Sequence, residues 1–209
     1  MKLYKLTDEN DQTCNQTQWG ENITHSGTGE GPMCSEGWIH AYIDPLLAIF
    51  VNPIHGGYVK PNLWIAEGEI KLQDSLKVAC LTLTTLYKEE IPPTLTDNQR
   101  IRVGIKCALK VYEEEFFGRW AKNWLSGKDR THKSAAAATA DAAAYTDAAH
   151  AADTAVAAYA AYAATAAAAA AAAVTYAAAA AAAEVTSAQI IEFIEEAIEV
   201  EKEGKIKCS

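Results

Sequence analysis

Between residues 135 and 183 the chain has no glycine, no proline, no lysine and no arginine, and 34 of these 49 positions are alanine. A stretch with so few donors, acceptors and charges excludes a conventional active site within it. Cysteine is also scarce. Cys14, Cys34, Cys80, Cys107 and Cys208 form no CxxC or CxH cluster, and their number is odd. That spacing argues against a zinc site or any other metal, and against a secreted disulfide framework. The opening MKLYKLTDEN lacks the apolar core of a signal peptide. The alanine run is long enough to span a bilayer, but Asp141, Asp147, His150 and Asp153 interrupt its first half, and no basic or aromatic belt flanks its second. The expected setting is a reducing cytoplasm without a membrane, and the sequons at Asn15 and Asn22 are then chance matches. Gly-x-Ser-x-Gly, HExxH and a Cys/His dyad spacing are missing as well, so no nucleophile, metal or cofactor is nominated.

The net charge of −9 argues against wrapping a nucleic-acid duplex. Its distribution is uneven. Residues 1–92 hold 6 lysines and 12 acids, residues 93–133 hold 9 basic and 5 acidic side chains, and the remainder is acidic again. A basic island therefore sits between acidic neighbours.

The hydrophobic period changes along the chain. MKLYKLT alternates as a strand does, and WIHAYI, NLWIAEGEI and LKVACLTLTTLYKEEI are further strand candidates rich in β-branched and aromatic residues. Glycines at 20, 27, 29, 31 and 37 mark loops. Asp44-Pro45 reads as a helix start, with LLAIFVN as a short helix ended by Pro53. Pro92-Pro93 sets the expected boundary between a small β-rich domain, 1–92, and a helical domain, 93–209.

Beyond it, Thr96 to Gln99 form a capping-box pattern. Ile101, Ile105, Leu109, Tyr112, Phe116, Trp120 and Trp124 then recur as one apolar helix face, with Gly118 as a bend. An unbroken alanine helix from 135 to 183 would run ~74 Å at the helical rise. Its tyrosines and aspartates share no single stripe, so two or three shorter helices packed as a bundle are expected. TSAQIIEFIEEAIEVEKEGK closes the chain as an amphipathic helix with Ile190, Ile191, Ile194 and Ile198 inward and Gly204 as its C-cap. The expected fold class is α+β: a small sheet domain followed by an alanine-rich helical bundle.

Two regions are candidate ligand sites. In the loop from Gly20 to Gly31 and the strand after it, Trp19, Thr24, His25, Trp38, His40 and Tyr42 can stack on or hydrogen-bond to a planar or phosphorylated ligand. Trp38, His40 and Tyr42 fall on one strand face and read as a cleft wall or as the core aromatics of a long β-hairpin loop. In the basic island, Arg119 and Arg130 lie just before an alanine helix whose N-terminus favours anions; a solvated connector reads as well. Glu67 and Glu69, two apart on one strand, are weak acid/base candidates.

Three resemblances follow from these residues. QWGENITHSGTGEGPMCSEGWIHAYIDPLLAIFVNPI, LWIAEGE and WLSGKDRTHKSAAAA resemble uncharacterised bacteriophage and prophage proteins. GWIHAYIDPLLAIF followed by LWIAEGEI resembles the strand–helix–strand core of ADP-ribosyltransferase-like domains. That family carries an Arg or His on its first strand, where this chain has Lys5, and a late catalytic Glu, for which Glu67 or Glu69 would stand. The alanine-rich part, with RIRVGIKCALKVY and RWAKNWLSGK, is similar to helical immunity-type proteins. Together they imply a phage accessory protein, of anti-defence type, that sequesters a small nucleotide-like ligand or a host defence protein without turnover. The alternatives are an NAD-consuming transferase, and a homo-oligomer built on alanine faces.

Overall fold

The computed structural model describes residues 1–111, 114–131, 133–138 and 185–207. The expected alanine bundle, at 139–184, lies outside the described residues. Strands come first and helices follow, so the chain is α+β, and it divides into the units Met1–Thr94 and Leu95–Ser209.

The first unit contains β1 (Lys2–Thr7), β2 (Gln12–Thr13), β3 (Thr17–Gln18), β4 (Ile23–Ser26), β5 (Ile39–Ala41), α1 (Pro45–His55), β6 (Asn62–Gln73) and β7 (Val78–Lys88). β1 pairs with β6 and β6 with β7, all antiparallel; β4 and β5 share the far edge of β7. Just past β5, Tyr42 exchanges both backbone hydrogen bonds with Tyr4 of β1, at 2.8 and 2.9 Å. The pairings β1–β6–β7–β5 thereby return to β1, and the sheet curls into a small barrel at this end. Register shifts at Ile65/Ala66, Gly68/Ile70 and Ile70/Leu72 supply the bending that such closure needs. Inside lie Leu3, Trp19, Ala41, Ala66, Val78, Cys80 and Leu83, all buried.

Two local expectations in this unit need correction. The stretch read as one long loop contains a strand, β4, with only four residues of weak alternation; it pairs with Thr82–Thr85 at long range, which no local pattern reveals. Helix α1 starts as expected, Asp44 accepting from the Leu46 and Leu47 amides at 2.8 and 3.2 Å with Pro45 first in the helix. It does not end at Pro53 but continues to His55. Asn52 closes it: the backbone carbonyl accepts from Gly56 and Gly57, and the side chain both donates to the Tyr58 carbonyl and accepts from the Tyr58 amide. A proline in the last turn removes one ladder bond, and Asn52 offsets that loss.

Asp11 pins the β1–β2 turn to the sheet. It adopts a left-handed φ of 61°, and its carboxylate accepts from Asn62 Nδ2 (2.8 Å), Trp64 Nε1 (3.0 Å) and Lys88 Nζ (2.8 Å). Burial alone would raise its pKa, but these donors outweigh it and hold the carboxyl below its ordinary value. Asp11→Asn keeps one acceptor and the turn conformation but loses the charge, and should cost about 1–2 kcal/mol at neutral pH. A group whose folded pKa is depressed contributes stability above its unfolded pKa, near 4, and loses it as pH falls through the folded value. Denaturant titrations should therefore show the two proteins converging below pH 4; a constant gap down to pH 2 would contradict this role.

The second unit contains α2 (Asp97–Val111), α3 (Glu115–Leu125), helical residues 133–138, and α4 (Ser187–Lys207). The capping box forms as expected: the Gln99 amide donates to Thr96 Oγ1 at 3.2 Å and the Thr96 amide to Gln99 Oε1 at 2.8 Å. Thr186 and Gln189 repeat it at the start of α4. Thr96 donates to Glu201 and Lys106 pairs with Glu196, so α2 and α4 run antiparallel. The apolar period from Ile101 to Trp124 is carried by two helices, not one. The break falls before Glu115, where Glu114 has extended ψ (132°), and Gly118 sits inside α3 with a helical hydrogen bond to Glu114. Glu114 and Glu115 suit this position, since the helix dipole favours negative charge at a helix N-terminus. Of the isoleucines placed inward on α4, Ile190 and Ile194 are buried, together with Phe193 and Ala197. Ile191 and Ile198 are only partly covered, and α4 runs through Gly204 to Lys207 instead of capping there.

Candidate functional site

A cavity of about 450 Å³ opens at the closed end of the sheet in the first unit, walled by β1, the β2–β3 ribbon, Cys34 to Glu36 of the glycine loop that runs from Gly27 to Gly37, β5 and the end of α1. Alternation along the strand places Trp38, His40 and Tyr42 on one face, and all three line this cavity as a cleft wall, with Trp19. Trp19 is fixed by its amide donating to the Asp11 carbonyl (2.8 Å) and its Nε1 donating to Thr13 Oγ1 (2.9 Å). Trp38 Nε1 donates to the Gly31 carbonyl at 3.0 Å, tying that ring to the glycine loop.

His40 Nε2 hydrogen-bonds the Met33 carbonyl. A carbonyl only accepts, so Nε2 carries the proton and Nδ1 remains an acceptor. Burial lowers the His40 pKa against the opposing pull of the Met33 carbonyl, so the ring is neutral at neutral pH. The Tyr42 ring stacks on His55 at 6.0 Å and 21°, with its hydroxyl 3.3 Å from His55 Nδ1. Burial raises the Tyr42 pKa, so the hydroxyl keeps its proton. Loss of water around the imidazole, then the Lys77 charge, hold His55 at about 4. Its outer edge stays exposed, so screening keeps the stability effect of its protonation small.

The alternation Leu3, Lys5, Thr7 on β1 points a lysine inward between two buried residues. Lys5 Nζ donates to the His40 carbonyl at 2.8 Å and sits 4.9 Å from the Trp19 ring centroid. Burial pulls its amine down to about 8. Among the described residues no carboxylate forms an ion pair with it, whereas Lys71, Lys88, Lys106 and Lys202 each have one. Lys77 also lines the cavity, and Glu36 is the one carboxylate among its lining residues. The chemistry on offer is ring stacking, neutral imidazole hydrogen bonding and a cationic surplus.

Thr24 and His25 do not line this cavity. Thr24 shares a hydrogen bond with Thr84 across the exposed sheet face (2.8 Å), and His25 stands behind Trp19, edge-on at 4.5 Å. Arg119 and Arg130 belong to the second unit. Arg130 stacks on Trp124 at 4.7 Å and donates from Nε to the Trp124 carbonyl, so it acts as a clamp. Arg119 lines a hollow of about 370 Å³ with Asn123, Asp129 and Lys133. There Asp129 accepts from the Thr131 amide, the Thr131 hydroxyl and the Ser134 hydroxyl, and these bonds hold its carboxyl below the ordinary range. The helix beginning at residue 133 thus already has the protein's own anion at its start. Glu67 and Glu69 are exposed and line a different hollow, where Glu69 pairs with Lys71 at 2.7 Å.

Lys5, His55, Tyr58 and Lys77 join the cavity without having been singled out as ligand contacts by the sequence. Lys5 comes from β1, where Leu3 and Leu6 lie on opposite phases and both are buried, so alternation alone does not mark it as inward. The others arrive from a helix end and two loops. Among the described residues no cluster of His, Cys, Asp and Glu is arranged to hold a metal ion, and no helix is long and apolar enough to cross a membrane. No protein-family model, curated protein or solved structure matches the chain.

Proposed function

We propose that the chain is a binding protein whose barrel-end cavity holds a small planar anion of the nucleotide type without turnover, in the cytoplasm of a phage-bearing bacterium. The observation that carries this reading is the wall of Trp19, Trp38, His40 and Tyr42 in one cavity with two lysines and a single glutamate. Trp38 and His40, the half-buried rings of that wall, stack on a base with Trp19 and Tyr42 as the packed floor behind them, and Lys5 and Lys77 meet its phosphate. The volume of about 450 Å³ lies within the ordinary range of small-molecule sites. The absence of Glu67 and Glu69 from its lining favours binding over transfer chemistry. The phage setting rests on the sequence resemblance alone.

Tryptophan fluorescence titration with AMP, ADP-ribose, NAD and the neutral nucleoside adenosine tests the reading. The anions should quench with at least tenfold lower Kd than adenosine. Trp38→Ala should weaken them by about 1–3 kcal/mol, the worth of one base–aromatic stack. Equal quenching by adenosine and AMP, or indifference to Trp38→Ala, would count against it.

A further inference from the structure

We infer that Lys5 is a carbonyl-capturing amine, whose Nζ forms a reversible imine with a small aldehyde admitted to the barrel-end cavity. Such capture needs the cavity but not a nucleotide, so it stands or falls apart from the ligand class proposed above.

Three observations carry it. First, position: Lys5 is on the inward phase of β1 and its side chain lines the cavity, so a ligand that enters meets the amine. Second, partners: its hydrogen bond goes to the His40 backbone carbonyl at 2.8 Å. A carbonyl accepts one N–H from either protonation state, so the neutral amine is held with its lone pair free. Third, surroundings: the Trp19 face, the buried Cys80 thiol and the neutral His40 ring stand around it, and no carboxylate pairs with it among the described residues. An ammonium without a counter-ion in a half-buried site is disfavoured, which is the usual route to a nucleophilic lysine. The amine held at about 8 agrees with that geometry.

The chemistry balances without an oxidant or reductant. The Nζ lone pair attacks the carbonyl carbon, and a C–N bond forms as the C=O π pair moves to oxygen. That oxygen takes the proton released from Nζ, giving a carbinolamine. Loss of the oxygen as water leaves the imine, and readdition of water returns aldehyde and amine. His40, with Nδ1 free to accept, lines the same wall and can move the proton.

The experiment treats the full chain with pyridoxal 5′-phosphate and cyanoborohydride at pH 7.4, then maps adducts by fragment mass spectrometry. The reductant fixes the imine by hydride delivery, so the adduct reports the equilibrium partner. At that pH an amine of pKa about 8 is roughly one-fifth unprotonated against about 0.1 % for an ordinary lysine. A lower basicity also reduces nucleophilicity, which leaves a net advantage of about tenfold. Lys5 should therefore be modified about tenfold faster than exposed lysines such as Lys60, and its rate profile should inflect near pH 8, in agreement with its depressed pKa. Lys5→Arg should remove the fast adduct and leave the slow ones. Modification of Lys5 at the pace of exposed lysines, or an unchanged fast adduct in Lys5→Arg, overturns the inference. Fast labelling of Lys5 with no nucleotide quenching would leave capture standing and remove the nucleotide reading; quenching with slow labelling would do the reverse.

Discussion

Gly37→Ala is expected to collapse the glycine loop and abolish ligand binding. A Cβ at residue 37 would lie 1.9 Å from the Glu30 carbonyl oxygen and 2.9 Å from its carbon, and one at Gly27 would lie 2.2 Å from the Gly37 oxygen. The two ends of the loop touch backbone to backbone, with Gly29 donating to the Gly37 carbonyl at 2.9 Å. No side-chain adjustment relieves a clash with backbone, so strands and loop must separate, at a cost of about 3 kcal/mol or more. Trp38 follows Gly37 directly and loses its place on the wall. Gly118→Ala is the control, since a Cβ there meets nothing within 4 Å in the middle of α3. It should stabilise by about 0.5–1 kcal/mol. Chemical denaturation and the fluorescence titration, run on both variants, check the pair; Gly37→Ala with wild-type stability and wild-type Kd would refute the assignment of this loop as a cavity wall.

Lys5→Met is expected to make the protein more stable while removing its function. At neutral pH the wild-type fold holds an ammonium that burial disfavours, its pKa lowered from 10.5 to about 8. Methionine has similar length, needs no solvation and keeps contact with Trp19. Water in the cavity can take over the His40 carbonyl. Partial exposure discounts the full shift, leaving a gain of about 1–3 kcal/mol at pH 7. The sign of the pH dependence follows from proton counts. Between pH 8 and about 10 the unfolded lysine still holds its proton and the folded one has released it. The unfolded state then binds more protons, so wild-type stability rises with pH relative to the variant and the gap narrows. Cys107, whose thiol burial raises, and Tyr42 act in the opposite direction, but equally in both proteins. Burial raises the Cys80 thiol as well, and Lys5 lowers it; the variant loses that lowering, which adds to the opposing slope in the variant alone. Measurement of both unfolding curves from pH 6.5 to 9.5 decides it. A variant less stable than wild type at pH 7 would mean that Lys5 is structural, held by Trp19 for packing.

What sequence reveals and what it hides divide along contact range. The helix starts at Asp44 and Thr96 were legible because an N-cap is decided by its own four residues. The shared face of Trp38, His40 and Tyr42 was legible because a strand has a fixed period of two. Strand β4 was not, since Ile23–Ser26 becomes a strand only by pairing with a partner some sixty residues away. The break before Glu115 was hidden because Phe116, Trp120 and Trp124 continue the earlier apolar period across it. The role of Arg130 was hidden in the same way. A guanidinium reads as free from sequence, and only the fold lays it on Trp124. Lys5 was hidden as well: residues on both phases of β1 are buried, Leu3 and Leu6 alike, and the missing counter-ion depends on what every other strand brings to the cavity.

The most direct test of the cavity as a ligand site is native mass spectrometry of the protein after incubation with a small-molecule extract of bacterial cells, beside Trp38→Ala. The wild type should retain an ultraviolet-absorbing anion that is released on denaturation, and Trp38→Ala should retain at least about fivefold less of it. A wild type that emerges bare, or a variant that keeps the same mass at the same occupancy, would contradict it.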